Sequence, residues 1–335
     1  MSIDLYDFTD VLLKAGNSLS KVVEITGLDL DTVKSIDMNR MLDLYTTTDS
    51  NGNKELIKPD NFCKVLGVYD FKLPKEKKYF TTIVDIDSWN IIYVAPNNDK
   101  SVVSDFIDYV GEDWMKKIEA VTCNIDSDFQ ETITNRFPNI KIVYDYKNIQ
   151  DLFQNKVVNK VVKDEIKRLE QIGNTKGIAD LKNSRYILPT SIKSTKDSKN
   201  KTNNDSYEEF VDNNKLLIII NFIKSGIEST YDCDSQIEIA EILENIIDLC
   251  LDSNNKHFLW FKNFIVKNFD KIIAHGTYKI SNDLLEEFHK NMNILLQINA
   301  GLPLDDYYLL KILDMSKNID KVNLSIIQQD VLNTI

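Results

Sequence analysis

Three kinds of side chain in this sequence could do chemistry or hold a ligand: thiols and imidazoles, a ladder of lysines, and scattered carboxylates. The thiols are Cys63, Cys123, Cys233 and Cys250, and the imidazoles His257, His275 and His289. None forms a Cys-x-x-Cys pair or stands at zinc-ligand spacing, so no structural zinc site is expected. Reduced, partly buried thiols fit a reducing compartment. His257 and His275 are too far apart, and too poor in matching carboxylates, to suggest a metal. Lys156, Lys160, Lys163 and Lys167 recur every three or four residues, followed by Arg168. One helix would carry them on one side, where they could face phosphates. The interleaved Val157, Val158, Val161, Val162, Ile166 and Leu169 equally describe an amphipathic helix with a solvated basic face, which is the preferred reading. Phe258, Trp260, Phe261, Phe264 and Phe269 crowd another segment. At helical spacing they are expected to be core, with an interface as the alternative.

The elements that must position these groups follow from periodicity. Residues 1–58 read as a helical unit. A helix over Asp4–Lys14 ends at Gly16, Ser18 caps a second, and after Gly27 a third runs from Asp29 through Leu44. Helix, glycine turn, helix is a helix-turn-helix-like order. Residues 59–150 change period: strands are expected at Phe62–Phe71, Tyr79–Ile86, Trp89–Val94, Ile118–Ile125 and Ile140–Tyr144, with helices at Ser101–Val110 and Asp128–Arg136. Three meandering strands, then helix, strand, helix, strand, is the order of a ribonuclease-H-like α/β fold. Residues 151–278 read as a large helical insertion, including a long helix over Asn155–Ile172 and a polar loop over Ser191–Ser206. Residues 279–335 read as closing helices and a tail. The first residues, Met1-Ser2-Ile3-Asp4, lack the features of a secretory signal. No apolar run approaches the roughly 20 residues of a membrane span. A cytoplasmic location without membrane contact is expected.

Charge narrows the partners. The net charge is −12 and the pI about 4.9, a field that opposes approach to a polyanion. Residues 1–60 hold six basic and eleven acidic side chains. The third helix opens on Asp29-Leu30-Asp31-Thr32, with Lys34 the nearest base, which disfavours groove reading.

Several segments together resemble the DDE transposases of the ISL3 type. Leu66-Gly67-Val68-Tyr69-Asp70-Phe71 is similar to that family's first catalytic strand, and Lys78–Asp85 to its second. Asn98-Asp99-Lys100 is similar to the turn into its first core helix. Phe137–Asp145 resembles its fifth-strand signature. Ser281–Glu286 resembles the segment supplying its last carboxylate, and Tyr308–Ile312 its closing helix. The resemblance covers most of residues 20–315. It implies a ribonuclease-H-like core in which three carboxylates converge on two Mg²⁺ ions, roughly 3.5–4 Å apart, to cut and join DNA.

The departures fall on the ligands themselves. By that resemblance Tyr69 occupies the first metal-binding position and Asp70 stands one residue late, which in a strand turns it to the opposite face. Asn124 occupies the second position, and an amide is a weaker ligand for a hard cation. Asp126 and Asp128 lie just beyond and would substitute only through a bulged strand end. Asn148 stands near the family's histidine, and its zinc ribbon is not found here. Glu286 alone is in register.

The expectation is therefore a degenerate site at Tyr69, Asn124 and Glu286, with no metal or cofactor. The chain would act by binding, foremost to a protein such as a nucleic-acid enzyme, which an acidic face would inhibit as a DNA mimic. A divergent transposase using Mg²⁺ at Asp70, Asp126 and Glu286 is the first alternative. A helix-turn-helix regulator contacting DNA through Lys34, Lys156, Lys160, Lys163 and Lys167 is the second. A homodimer stays open.

Overall fold

A computed structural model describes residues 3–73, 78–125, 129–184, 215–298 and 305–317. The chain is mixed α/β and divides into two compact units, residues 1–140 with 283–335, and residues 141–282. The expected polar loop at Ser191–Ser206 lies outside the described residues. No described helix is long and apolar enough to cross a membrane.

The first unit opens with three helices, α1 (Ile3–Lys14), α2 (Leu19–Thr26) and α3 (Leu30–Tyr45). Ser18 caps α2 by accepting from the Lys21 amide, and Asp29 caps α3 by accepting from the Thr32 amide at 2.8 Å. Gly27 ends α2 at φ 69°, a left-handed conformation that glycine adopts without a Cβ penalty. Leu13, Val22, Val33 and Ile36 form the core of this helical group. The second half of α3 turns Met41 toward Tyr307 and Leu310 of a late helix, α15 (Asp306–Lys317). α3 thus spans two cores, and its buried face carries both.

A hairpin that periodicity did not suggest follows: β1 (Thr46–Thr48) and β2 (Lys54–Leu56), antiparallel, around an Asp49 loop. Asp49 accepts from the Asn51 and Asn53 amides. Three-residue strands are too short to display an alternation.

The main sheet has five strands in the order β5-β4-β3-β6-β7, with β3 (Val65–Lys72), β4 (Tyr79–Asp85), β5 (Ile91–Ala95), β6 (Ala120–Cys123) and β7 (Lys141–Val143). β3 is antiparallel to β4 and parallel to β6. It is central, and Val65, Leu66, Val68, Tyr69 and Phe71 are all buried, as expected of a strand covered on both faces. The expected third strand began at Trp89. Instead Trp89 belongs to the preceding turn, at φ 58°, with its amide donating to the Asp85 carbonyl at 2.7 Å. α4 (Ser101–Val110) buries Val102, Val103, Phe106, Ile107 and Val110 along one stripe. α5 (Glu112–Met115) and α6 (Phe129–Arg136) follow.

The second unit is helical after β7. Asp145 caps α7 (Tyr146–Phe153) through the Asn148 amide. A π-helical segment (Gln154–Val158) leads into α8 (Asn159–Gln171). The helix expected from Asn155 thus starts nine residues earlier, at Tyr146, and is interrupted. Next come α9 (Thr175–Ser184), α10 (Lys215–Asp232), α11 (Gln236–Asp252), α12 (Lys256–Lys267) and α13 (Phe269–Ile273). Phe258 and Phe261 of α12 are fully buried, while Trp260 is 42% exposed. α14 (Asn282–Ile298) returns the chain to the first unit.

Candidate functional site

Alternation along β3 separates the two residues on which the chemistry turns. Gly67, Tyr69 and Phe71 project to one face, Asp70 to the other. The Tyr69 ring is 2% exposed and packs against Phe288 and His289 of α14, with ring centroids 5.7 and 5.4 Å away. Phe71 meets the same two side chains at 5.9 and 5.3 Å, and Trp89 closes on Phe288 at 5.6 Å. The ring of Tyr69 lies back over Gly67: a Cβ there would stand 2.5 Å from Tyr69 Cε2 and 2.7 Å from Ile86 Cδ1. Glycine at 67 is what gives this tyrosine its room. The left-handed backbone of Trp89 likewise places an indole over the cluster, at a cost of order 1–3 kcal/mol for a non-glycine residue.

Asp70 is half-buried on the opposite face. It stands directly across from Thr81 of β4, whose hydroxyl donates to Asp70 Oδ1 at 2.7 Å. The same hydroxyl is 2.8 Å from the Asn97 carbonyl. A hydroxyl has one proton, so it satisfies both acceptors only in part. Asn124 follows β6 and donates its Nδ2 to Asp70 Oδ2 at 3.3 Å. Gln130 steadies that strand end by donating to the Asn124 and Ile125 carbonyls. Burial pushes the Asp70 carboxyl above its ordinary range, and the bonds from Thr81 and Asn124 offset that only in part.

A pH dependence follows. A carboxyl whose pKa is higher in the folded chain favours folding when protonated, and that benefit is lost as pH rises through its folded value. Asp70→Asn is therefore expected to be at least as stable as the parent at pH 7. Its advantage should vanish on acidification into the ordinary carboxylate range. Paired thermal melts at pH 7 and pH 4 check this. A variant less stable at pH 7 would contradict it.

The structure thus brings Asp70 and Asn124 together, while the Tyr69 ring packs on α14. Asn124 follows Cys123, which pairs with Val68, so Asn124 is next in register with Tyr69. Its amide nevertheless turns to Asp70. Glu286 is exposed on α14, three residues before His289. Asp126 and Asp128 lie outside the described residues. Among the described residues no group of three or more His, Cys, Asp or Glu side chains could hold a metal.

The expected nucleic-acid contacts fall in two places. Lys34 is engaged inside the first unit, 3.5 Å from Asp305 and over the Tyr307 ring. Lys156, Lys160, Lys163 and Lys167 are all exposed on the π-helical segment and α8. His257 of the second unit bonds Asp164 at 3.0 Å. His275 is buried with Nε2 against the Tyr231 carbonyl, and burial lowers its pKa, partly offset by that bond.

One constellation was not found from the sequence. Arg40 of α3 is 4% exposed and grips two carboxylates. Its guanidinium donates to Asp37 Oδ1 at 2.8 and 3.1 Å and to Asp314 at 2.6 and 3.1 Å. Lys311 and Tyr307 donate to Asp37 Oδ2 at 2.6 and 2.8 Å, and Tyr45 donates to Asp314 at 2.7 Å. Burial would raise the Asp37 carboxyl, but Lys311 and then Arg40 overcome it and hold it below its ordinary range. The available signal was the placement of Asp37 and Arg40 beside Val33, Ile36 and Met41, on the buried face of α3.

Comparison with known proteins agrees with the motif reading. A family model for DDE transposases of the ISL3 type, described as "Transposase", matches residues 66–312. The transposase for insertion sequence element IS1001 of Bordetella parapertussis is 18% identical over 303 residues, spanning 90% of this chain and 70% of that protein.

Proposed function

This chain belongs to the DDE transposase family of the ISL3 type, and from that premise we propose that it acts by binding rather than by strand transfer. The observation that carries this is the seat of Tyr69. Where the family resemblance calls for the first metal-binding carboxylate, a buried phenol is wedged between Gly67, Phe288 and His289. Asn124, at the second position, spends its amide on Asp70. Two Mg²⁺ ions need carboxylates bridging them in one pocket. The described residues do not fit that group: a phenol and an amide hold two of the three positions, and aromatic rings fill the space beside the first. The strand order and the three N-terminal helices support the ribonuclease-H-like and helix-turn-helix-like readings of the scaffold.

The partner proposed for the first unit is a protein with a basic surface. On α3 the exposed side chains include Asp31 and Asp43, beside the Asp29 cap. Its two bases are engaged, Lys34 with Asp305 and Arg40 inside the buried network. A nucleic-acid enzyme whose basic groove accepts this acidic face would be inhibited by it.

A second reading, a divergent transposase with a displaced site, is favoured by one feature: Asp70 keeps a carboxylate next to the second ligand position. One experiment separates the two. The full chain is incubated with supercoiled and linear duplex DNA in Mg²⁺ and in Mn²⁺, beside Glu286→Ala and Asp70→Asn. The binding role predicts no divalent-dependent cleavage in any of the three. Cleavage by the parent, abolished in both folded variants, establishes the displaced site and overturns the proposal.

A further inference from the structure

A buried base stands apart from the chemistry of the sheet. His275 sits in a 3₁₀ turn, Ala274–Gly276, and is 2% exposed. Its Nε2 lies 3.2 Å from the carbonyl of Tyr231, near the end of α10. A carbonyl only accepts, so Nε2 carries the proton and Nδ1 is the bare lone pair. Nδ1 is closed to solvent and has no hydrogen-bond partner among the described residues. The imidazole lies against the Tyr231 ring, with centroids 4.6 Å apart.

That bond joins segments far apart in the chain. Tyr231 donates its hydroxyl to the Tyr144 carbonyl at 2.8 Å, and the Tyr144 amide donates to the Lys271 carbonyl at 3.1 Å. Tyr144 follows β7, and Lys271 belongs to α13. The turn, the end of α10, the end of β7 and α13 are thus tied in one line through Tyr231. The turn itself has no slack. A Cβ on Gly276 would stand 2.5 Å from the Gln236 nitrogen at the start of α11.

Among the described residues no carboxylate pairs with this imidazole. On α10, Tyr231 offers its ring and carbonyl, while Glu228 and Asp232 reach solvent. Glu238 and Glu241 of α11, Lys141 of β7 and Asp270 of α13 are exposed. Lys271 is turned to the Tyr144 hydroxyl at 3.3 Å, Asp145 accepts from Asn148, and Lys279 pairs with Asp234. A proton added at Nδ1 would be a buried charge that meets neither water nor a counter-ion. Burial accordingly lowers the His275 pKa, with the Tyr231 bond opposing it in part.

We propose that His275 is an acid-sensitive clasp of the second unit: neutral, it ties the turn to α10; protonated, it leaves the core, and the turn, the end of α10 and Tyr144 part. The inference concerns this unit alone and holds whether or not the first unit cuts DNA. A base that takes its proton more readily in the unfolded chain stabilises the fold above the ordinary imidazole value, about 6.5, and that benefit is lost as pH falls below it. At pH 5 an ordinary imidazole favours its protonated form about thirtyfold, which caps the loss.

The test is hydrogen exchange of the full chain, resolved by peptide, at pH 7.5 and pH 5.0, with the intrinsic exchange rate divided out. Protection across residues 225–232 and 268–278 should fall about tenfold at the lower pH, inside that cap. His275→Gln keeps a donor for the Tyr231 carbonyl but has no proton to gain, and should show equal protection at both pH values. His257→Gln, which removes the imidazole beside Asp164, should respond as the parent does. Unchanged protection in the parent overturns the proposal. So does a parent-like response in His275→Gln, or loss of the response in His257→Gln. Should His275→Gln fail to fold, nitrogen-15 NMR of the histidine-labelled parent decides. The His275 ring is expected to be neutral at pH 6, with its proton on Nε2. A ring that is doubly protonated at pH 6 in the folded chain, or a neutral ring with its proton on Nδ1, overturns the clasp.

Discussion

Replacing Arg40 by alanine is expected to destabilise the first unit by about 3–5 kcal/mol, the usual cost of breaking a buried ion pair by removing one partner. The guanidinium bonds both Asp37 and Asp314. Its loss leaves Asp314 with Tyr45 and Asp37 with Lys311 and Tyr307. Asp314 would then lose the bonds from the Arg40 cation and keep the one from the neutral Tyr45 hydroxyl. It would protonate or draw in water, and either response costs folding free energy. Arg40→Lys keeps the charge but not the paired, fork-shaped donation, and should lie between the parent and alanine. Urea unfolding followed by circular dichroism measures the difference. A loss below about 1 kcal/mol for Arg40→Ala would show that the network contributes little.

The same network makes acid a selective denaturant. In the folded chain, against the opposing effect of burial, Lys311 and Arg40 hold the Asp37 carboxyl below the ordinary carboxylate range. Its contribution is therefore present above the unfolded value and lost as pH falls through the folded one. That loss should accompany separation of α3 from α15, since Arg40 and Asp37 come from one helix and Asp314 and Lys311 from the other.

Tyr69→Asp is the second large effect expected, about 3–5 kcal/mol of destabilisation at neutral pH. Truncating a buried aromatic ring costs that much by itself, in lost transfer free energy and in the cavity left behind. The introduced carboxylate would take the place of a ring packed on Phe288 and His289. Burial raises the pKa of such a group. The variant should therefore recover part of its stability as pH falls, opposite in sign to the parent's dependence through Asp37. Thermal melts at pH 5 and pH 7.5, with and without 10 mM Mg²⁺, read both effects. A variant as stable as the parent, whose melting temperature Mg²⁺ then raises, would show that the pocket still accepts a metal-binding carboxylate. That result would remove the main support for a purely binding role.

Much of this was legible before any coordinates. The β-branched run Thr81-Thr82-Ile83-Val84 marks β4, and Val102, Val103, Phe106, Ile107 and Val110 mark α4 with its observed bounds. Period-two alternation by itself separates Tyr69 from Asp70, because adjacent strand residues point to opposite faces. The segments resembling the transposase family lie in the part of the chain that the family model matches. Signals were absent where an element is too short for a period, as in β1 and β2; in the Tyr146–Phe153 helix Tyr146, Ile149 and Phe153 do recur at helical spacing, and the reading from Asn155 passed over them. Trp89 reads as strand by type, yet the turn from Asp85 to Asn90 needs a left-handed residue, and the packing of the indole on Phe288 accompanies that conformation.

What the amino-acid sequence determined by itself is local: the elements, their faces and the residue types at each ligand position. Side-chain chemistry and the periods of helix and strand operate between near neighbours along the chain. Only the tertiary structure decided which groups meet. Asp70 faces Asn124 across 54 residues, Arg40 reaches Asp314 across 274, and Tyr69 finds its ring partners on α14. Those pairings follow from strand register and helix docking, which depend on packing the whole core at once.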